Sequence, residues 1–412
     1  MKKGYLSQYF SGLAAKLLSD VELPHGLSTQ HEFHGGREFR VILGEPAEKK
    51  RFDTRFMFLS DDSEEPVIGD GVLTWYDPRK KGREERGIMR WEPRLYYTDN
   101  DAVSAASAGD LLVLALRADG TLMAIVAKTG TTVERQIRWL FDIPDDAGAG
   151  LFLKEDLETE RDQLGYAARS ILEQIGIEIE DATEDYLDRM LAKFEGRFPR
   201  TKDFSEFARG TVKEVSPADS PDDALVSWIE QEERLYRALE KHLLKDLIKK
   251  LLASGFEDPD PLLELAMSTF QRRKSRAGRA LENHLEFLFS EQGISYTRTG
   301  VTESNLQPDF IFPGISQYHA PGFPLARLTM LASKSTCKDR WRQILNEAAK
   351  IPLKHLVTLE PGISENQTAE MQAEKVQLVL PQPLHQTYTP RQQEWLISLK
   401  DFLTVVRQRQ LA

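Results

Sequence analysis

The spacing of apolar residues changes along this chain, and the change excludes one uniform architecture. Residues 1 to about 145 contain short apolar runs separated by turn-forming pairs such as Asp70-Gly71. After about residue 221 the pattern becomes long and amphipathic, beginning with residues 225–253. Short runs at close spacing indicate β-strands, whereas apolar positions three and four apart indicate helices. With 412 residues the chain is also too long for one ordinary domain, so we expect two or three.

Residues 1–145 are predicted to form a small β-barrel or β-sandwich. The apolar runs that predict its strands are 55–59, 72–76, 95–97, 111–116 and 122–127. Asp119-Gly120 separates the last two runs, and an Asp-Gly pair favours the tight turn of a β-hairpin. Residues 133–141 follow with helical spacing and close this predicted domain.

The remainder of the chain is predicted to comprise a linker and an α/β domain. Residues 146–215 are acidic and helical in pattern, and we interpret them as a linker region. Residues 216–412 begin with helical stretches and continue with four short apolar runs, at 310–312, 328–332, 355–359 and 376–380.

A helix is predicted between the second and third of these runs. Residues 339–351 place Trp341, Ile344, Leu345 and Ala348 on one helical face. The order strand, strand, helix, strand, strand favours an α/β layer with a mixed central sheet.

The charge of the chain is unevenly distributed. The net charge is −11, which by itself argues against a nucleic-acid-binding protein. However, the acidic residues concentrate between 142 and 264, and basic residues cluster elsewhere. The basic clusters are Arg272, Arg273, Lys274, Arg276 and Arg279, and then Lys334, Lys338, Arg340 and Arg342. Such clusters can follow a phosphate backbone, although each one also fits a solvated helix face.

Several classes of protein are disfavoured by what the sequence lacks. No apolar stretch is long enough for a signal sequence or a membrane span, so we expect no membrane partner. Cys337 is the single cysteine, which excludes an intrachain disulfide and a CxxC zinc site and suits a cytoplasmic protein. The patterns GxxxxGK[ST], GxGxxG, GxSxG and HExxH are absent, so no nucleotide cofactor is expected. His31 and His34 lack a third metal ligand nearby in sequence.

Three residues in the C-terminal half suggest phosphodiester chemistry. Asp309 opens the run 310–312, Lys334 follows the run 328–332, and Glu347 lies on the predicted helix. Two carboxylates can hold a hard divalent cation such as Mg²⁺, and a lysine can orient water or offset developing charge. A purely structural interpretation also fits, in which Asp309 ends a turn, Lys334 lies along the surface and Glu347 faces solvent.

A family resemblance favours the chemical interpretation. The segments that carry it are 272–278 (Arg-Arg-Lys-Ser-Arg-Ala-Gly) with Glu282, Pro308-Asp309-Phe310, Tyr318-His319, and 334–347 (Lys-Ser-Thr-Cys-Lys-Asp-Arg-Trp-Arg-Gln-Ile-Leu-Asn-Glu). Over roughly the last half of the chain these residues closely resemble the catalytic domain of the EcoRII restriction endonucleases. The resemblance implies a restriction-endonuclease-like α/β fold of the PD-(D/E)xK type. It also implies that Asp309, Lys334 and Glu347 are catalytic, that Asp309 and Glu347 bind Mg²⁺, and that Glu347 lies on a helix.

The same resemblance implies further site residues. Lys338, Asp339 and Arg340 correspond to residues that read G·C pairs in the major groove, where Lys and Arg donate to guanine and Asp accepts from cytosine. Tyr318 and Glu282 match residues near the family's active site. The remaining residues expected to bind DNA in this half are Arg342, Arg272, Arg273, Lys274 and Arg276.

The N-terminal segment resembles the family more loosely. Residues 81–91 are similar to the arm with which the family's β-pseudobarrel effector domain grips DNA, and Gly87 stands where that arm has an arginine. The resemblance implies a β-pseudobarrel DNA-binding domain, although a charged loop tip also fits these residues. The arm residues expected to bind DNA are Lys81, Arg83, Glu85, Arg86 and Arg90.

Together these features predict a homodimeric type II restriction endonuclease. It would cut double-stranded DNA at a short site, CCWGG-like by resemblance, and its N-terminal domain would restrain its catalytic domain. The alternatives are a methylation-dependent nuclease and a DNA-binding regulator whose nuclease fold is inactive.

Overall fold

The computed structural model describes residues 2–25, 31–45, 49–63, 65–87, 92–145, 151–179, 184–213, 215–253 and 258–411. Within these ranges, only the backbone is described for residues 37, 184, 185, 338 and 339. The chain divides into two compact units. The first comprises Met1–Ile179 and Thr387–Thr389, and the second comprises Glu180–Gln386 and Pro390–Ala412.

This division differs from the predicted segments 1–145, 146–215 and 216–412. Residues 146–215 do not form a separate linker, because their two ends pack into different units. The strand Phe152–Lys154 pairs with Phe10–Leu17 in the first unit. The helix Thr201–Arg209 contributes Phe204 and Phe207 to a core of the second unit. The acidic composition of the segment concealed these apolar anchors.

The first unit is built on one eight-stranded sheet with the order β2-β5-β4-β3-β7-β6-β1-β8. Its strands are β1 (Phe10–Leu17), β2 (Glu32–Phe33), β3 (Lys50–Leu59), β4 (Val67–Tyr76), β5 (Arg94–Tyr97), β6 (Leu111–Arg117), β7 (Leu122–Ala127) and β8 (Phe152–Lys154). Its helices are α1 (Arg37–Leu43), α2 (Lys80–Glu84), α3 (Asp101–Ser104), α4 (Thr132–Phe141) and α5 (Tyr166–Gln174), with 3₁₀ turns at Leu6–Gln8, Asp20–Glu22 and Glu160–Asp162.

Both faces of this sheet are apolar, since alternate residues of its central strands enter two different cores. Leu112 and Leu114 of β6 lie in one core with Phe56 and Trp75, whereas Val113 lies in the other. In the observed order β2 and β8 are the two edges, as in an open, incompletely closed barrel. The predicted hairpin between β6 and β7 is confirmed, and Gly120 adopts a φ of 84° in its turn.

The second unit combines helices with a five-stranded mixed sheet. Its helices are α6 (Glu184–Phe194), α7 (Thr201–Arg209), α8 (Pro221–Ala253), α9 (Asp260–Glu291), α10 (Ile315–His319), α11 (Glu365–Ala373), α12 (Pro390–Gln393) and α13 (Leu399–Leu411), with 3₁₀ segments at Glu303–Asn305, Leu325–Arg327, Lys338–Asn346 and Gln382–Thr387. Its strands are β9 (Thr297–Arg298), β10 (Phe310–Phe312), β11 (Thr329–Ser333), β12 (Lys354–Val357) and β13 (Val376–Val379).

The five strands follow the order β13-β12-β11-β10-β9. The strand β10 is antiparallel to β9 and β11, whereas β11, β12 and β13 run parallel. Phe310 and Phe312 of β10 pack against Phe289 of α9, with ring centroids 5.1 and 5.2 Å away. The α/β fold with a mixed central sheet is therefore confirmed.

Within the helical stretches of the second unit, one local prediction needs correction. Residues 262–270 and 280–289 belong to one continuous helix, α9. The helix predicted from 339 to 351 is instead a 3₁₀ segment that ends at Asn346. Trp341, Ile344 and Ala348 are nevertheless buried, as the apolar spacing predicted. No helix of the described residues is long and apolar enough to span a membrane.

Candidate active site and DNA interface

Asp309 lies at the start of β10, where two neighbouring donors hold its carboxylate. Its Oδ2 accepts a hydrogen bond from the backbone N–H of Ser333, at 2.7 Å, and one from Lys334 Nζ, at 3.3 Å. Ser333 is the last residue of β11, the antiparallel neighbour of β10. The start of β10 and the end of β11 therefore place a carboxylate and an ammonium group side by side, as predicted from the two apolar runs.

Lys334 itself is fixed by the parallel part of the sheet. Its backbone N–H donates to the carbonyl oxygen of Val357, at 3.0 Å, so the pairing of β11 with β12 continues one residue past β11. Its side chain is 19% exposed, which leaves the ammonium partly open to solvent beside Asp309.

Glu347 completes the predicted set, but not from within a helix. It follows the 3₁₀ segment Lys338–Asn346 with φ −73° and ψ 141°, an extended conformation. Its Oε2 is buried and has no hydrogen-bond partner among the described residues. Burial raises the pKa of Glu347 to about 7, and the charge of Asp309 adds to this, whereas Lys334 opposes it. An unpartnered buried carboxylate oxygen beside Asp309 and Lys334 is an open coordination or proton-binding position.

Lys354 was not anticipated as part of the site, although it fixes the backbone at Glu347. This residue begins β12 and is only 5% exposed. Its Nζ donates to the carbonyl oxygens of Glu347 and of Ala348, the latter at 2.7 Å. Ala348 has a φ of 48°, a conformation that non-glycine residues seldom adopt without outside support. In the sequence, the available signal was a lysine directly before the apolar run 355–359.

Tyr318 supports the chain just after Glu347. Its hydroxyl donates to Glu303 Oε2 at 2.5 Å and accepts from the backbone N–H of Lys350 at 3.3 Å. Burial, together with the bond to Glu303, raises the pKa of Tyr318 to about 12. Glu303 also accepts from the N–H of Ala349 at 3.3 Å. In this arrangement Tyr318 and Glu303, the second of which was not predicted, order the segment that carries Glu347.

Glu282 lies on α9 and connects that helix to the edge of the sheet. Its Oε2 accepts from Arg298 Nη2 at 2.6 Å, and Arg298 Nη1 also binds Glu286 at 2.9 Å. Arg298 belongs to β9, opposite Phe310 in the register. Glu282 is therefore linked to β10, the strand that follows Asp309, through Arg298 and the pairing of β9 with β10.

The basic cluster on α9 is largely engaged within the protein. Arg273 binds Glu240, and the buried Arg276 binds Glu232, at 3.0 Å, and Glu233. Arg272 stacks over the ring of Phe198 at 4.1 Å. Lys274 is exposed, as is Arg279 beyond it. Of the predicted DNA-binding residues in this cluster, Lys274 is thus the one whose side chain faces solvent most clearly.

The segment predicted to read base pairs is only partly described. The side chains of Lys338 and Asp339 lie outside the described part of the protein. Arg340 is exposed. Arg342 is half-exposed, and its Nη2 binds Glu370 at 2.5 Å.

The predicted arm of the first unit includes α2. Lys81, Glu85 and Arg86 are exposed, and Arg90 lies outside the described residues. Arg83 is mostly buried and binds Asp77 at 2.6 Å. A phosphate contact is therefore open to Lys81 and Arg86, whereas Arg83 anchors the base of the arm.

The site offers a metal ion two carboxylates. No group of three or more histidine, cysteine, aspartate or glutamate residues in metal-binding proximity occurs among the described residues. Mg²⁺ commonly takes one or two carboxylates and fills its remaining positions with water and substrate phosphate oxygens. Asp309 and the unpartnered Oε2 of Glu347 fit that requirement.

Part of the chain is similar to known restriction enzymes. Residues 236–403 match the family model described as EcoRII C terminal. Over 208 residues the chain is 42% identical to the type II restriction enzyme EcoRII of Escherichia coli, which covers 50% of each protein. Over 152 residues it is 30% identical to the type II restriction enzyme SsoII of Shigella sonnei, covering 34% of this chain and 46% of that relative. The chain thus spans about half the length of the curated relatives it matches, and the resemblance inferred for the C-terminal half is confirmed.

Solved structures similar to this chain include two DNA complexes of one protein and a complex of another. Metal-depleted Ecl18kI with uncleaved, modified DNA has a TM-score of 0.46 at 16% identity, over 56% of this chain and 86% of that one. Metal-depleted Ecl18kI with uncleaved DNA gives 0.44 at 18% identity with the same coverage. The PspGI–substrate DNA complex gives 0.39 at 14% identity, over 58% and 95%.

Proposed function

We propose that the chain, whose residues 236–403 match the family model described as EcoRII C terminal, is a type II restriction endonuclease that hydrolyses phosphodiester bonds of double-stranded DNA. The observation that carries the proposal is the set Asp309, Lys334 and Glu347, which meets where β10 begins and β11 ends. Within it, Glu347 keeps a buried oxygen without a partner among the described residues.

In this proposal Asp309 and Glu347 hold Mg²⁺. The bound ion would polarise the scissile phosphate and lower the pKa of a water molecule. The Lys334 ammonium lies 3.3 Å from Asp309 Oδ2 and would hold the attacking water and offset negative charge on the phosphate. Because its pKa is raised to about 7, Glu347 carries a proton for part of the time at neutral pH and must release it to bind a cation. Lys354, Tyr318 and Glu303 hold the segment that presents Glu347.

Recognition of the DNA is assigned to residues 338–340 and to basic residues whose side chains are exposed elsewhere. Lys338, Asp339 and Arg340 would read a CCWGG-like site, and Lys274, Arg342, Lys81 and Arg86 would contact phosphates. A two-fold symmetric site calls for a two-fold symmetric protein, so the proposal includes a homodimer.

Plasmid cleavage with and without Mg²⁺ tests the chemistry. Asp309→Ala and Lys334→Ala should each abolish cutting, whereas Lys400→Ala, an exposed lysine of the same unit, should cut as the parent does. Cleavage by all three variants at the parent's rate would refute the site. A parent protein that binds the duplex but never cuts it would favour the DNA-binding regulator. Cutting of methylated DNA alone would favour the methylation-dependent nuclease.

The proposal also includes restraint of the second unit by the first. The restrained protein would populate a closed state, and binding of a second DNA site would shift it toward an open state. The full chain should then cut a two-site plasmid faster than a one-site plasmid. Adding a short duplex that carries the site should accelerate cutting of the one-site plasmid. Equal rates in all three reactions would exclude such restraint.

A further inference from the structure

The helices α8 and α9 continue past the body of the second unit. The last buried residue of α8 is Glu240, and the first buried residue of α9 is Thr269. Between them lie the described residues 241–253 and 258–268. Together with Phe270 we call these residues the helical arm. Thirteen residues of α-helix extend about 20 Å, so the arm is long enough to form an interface.

The arm carries most of the exposed apolar side chains. Among the described residues, seven of the twelve exposed large apolar side chains lie on it. They are Leu247 (45% exposed), Ile248 (42%), Leu252 (55%), Leu262 (41%), Leu263 (56%), Met267 (63%) and Phe270 (67%). Single exposed apolar residues are ordinary, but a contiguous group marks an interaction surface.

The spacing of these residues fits packing against further helices. On α8, residues 244, 247, 248 and 251 follow the i, i+3, i+4, i+7 pattern, and residues 263, 266, 267 and 270 do the same on α9. Packed only against each other, α8 and α9 bury part of these stripes. The exposed fractions given above are the part that remains accessible to solvent. Four helices bury stripes of this kind completely, as in a four-helix bundle.

The charges of the arm indicate which partner supplies the other two helices. Its α8 side carries Lys241, Lys245, Lys249 and Lys250 against one acid, Asp246, whereas its α9 side carries Asp258, Asp260 and Glu264. All of these side chains are exposed. In a two-fold contact of one surface with its own copy, the basic side of one arm can meet the acidic side of the other. DNA would instead be repelled by the acidic side.

We propose that the helical arm is the surface on which a second copy of this chain docks, with the two arms forming a four-helix bundle. This deepens the homodimer of the proposed function by naming its interface. The test uses the full-length protein without DNA or Mg²⁺, so it does not depend on nuclease activity.

The apolar part of the interface is tested by sedimentation velocity over a concentration series. The parent protein should sediment as a dimer. Leu263→Asp with Met267→Asp should weaken the dimer by about 100-fold or more, because two large apolar side chains lose their burial. The matched control, Leu325→Asp with Leu411→Asp, changes two apolar residues of the same unit that are 55% and 82% exposed outside the arm, and it should remain dimeric. A monomeric parent, or an arm variant as dimeric as the control, overturns the proposal.

Charge reversal tests the identity of the partner. One variant combines Lys245→Glu, Lys249→Glu and Lys250→Glu, and a second combines Asp258→Lys, Asp260→Lys and Glu264→Lys. Each alone should be largely monomeric because like charges meet, and an equimolar mixture should recover the dimer. That recovery also shows that both variants are folded. A mixture that stays monomeric, or single variants that dimerise like the parent, would contradict pairing of arm with arm.

The two proposals can fail separately. If the dimer depends on the arm but no DNA is cut, the interface stands and the nuclease assignment fails. If DNA is cut but the arm variants remain dimeric, the nuclease assignment stands and the interface is wrong.

Discussion

Glu232 and Glu347 of the second unit both have buried carboxylate oxygens, but they differ in hydrogen bonding. On α8, Glu232 Oε1 accepts from Arg276 at 3.0 Å and Oε2 accepts from His284 Nε2 at 2.8 Å. Arg209 donates to the other ring nitrogen of His284 at 3.1 Å, which fixes the neutral tautomer with its proton on Nε2. Glu347 instead leaves Oε2 without a partner among the described residues. A satisfied carboxylate stabilises the helices, whereas an unsatisfied one is available to a ligand.

The largest expected effect is the loss of DNA cleavage on substitution of Glu347. Glu347→Gln should lower Mg²⁺-dependent cleavage by at least about 1,000-fold, since it removes one of two proposed metal ligands. It should leave the fold intact, because no hydrogen bond of the buried Oε2 is lost. Steady-state cleavage of a supercoiled plasmid measures this, and retention of more than a tenth of the activity would remove Glu347 from the site.

For the free energy of unfolding we expect the reverse, with a larger effect at Glu232 than at Glu347. Glu232→Gln should lower the free energy of unfolding by about 3 kcal/mol, because it leaves Arg276 without one of its buried charge partners. Glu291→Gln, at an exposed position of α9, serves as the matched control and should change stability little. Urea denaturation followed by circular dichroism measures both, and equal midpoints would show that the Glu232 network contributes no net stability.

Lys354→Met should have an intermediate effect on cleavage. The substitution removes the ammonium that binds the carbonyl oxygens of Glu347 and Ala348 while keeping a side chain of similar length. Loss of such a supporting contact to a metal ligand typically costs about 10–100-fold. We expect that loss to appear mainly in the Mg²⁺ concentration needed for half-maximal cleavage, with Lys400→Met as the control. An unchanged Mg²⁺ dependence would reduce Lys354 to a structural residue.

The smallest effect is a pH dependence of stability without metal. Because the pKa of Glu347 is raised from 4.5 to about 7, its proton is held more tightly in the folded protein than in the unfolded chain. Stability from this group is therefore fully present below pH 4.5 and is lost as the pH rises to 7. With allowance for partial exposure the loss is about 1–3 kcal/mol. In EDTA, the difference in unfolding free energy between the parent and Glu347→Gln should change by that amount between pH 5 and 8, and a constant difference would contradict the raised pKa.

The local sequence determined the ends of the strands beside the site. The apolar runs 310–312 and 328–332 predicted two buried strands, and Asp309 and Lys334 adjoin these runs. Both residues were therefore expected at strand ends, where side chains become accessible, without knowledge of the fold. The hairpin between β6 and β7 followed in the same way from its apolar runs and from Asp119-Gly120. These features depend on side-chain period and turn geometry over fewer than about ten residues, so they can be predicted from the local sequence alone.

Other features were decided only by contacts with residues outside the local segment. β1 has no clean alternation in its sequence, and it is a strand because β6 and β8 pair with its two edges. Arg276 resembled a phosphate contact, yet Glu232, 44 positions away, buries and neutralises it. The apolar spacing of residues 341–348 predicted a helix that would carry Glu347, whereas the chain leaves its 3₁₀ turn at Asn346 because Lys354 holds the next two carbonyl groups. For β1 and for Arg276 the deciding hydrogen bonds or ion pair have partners far along the chain. Lys354 lies only seven positions after Glu347, but outside the predicted helix. Spacing within a segment carries no information about partners outside it.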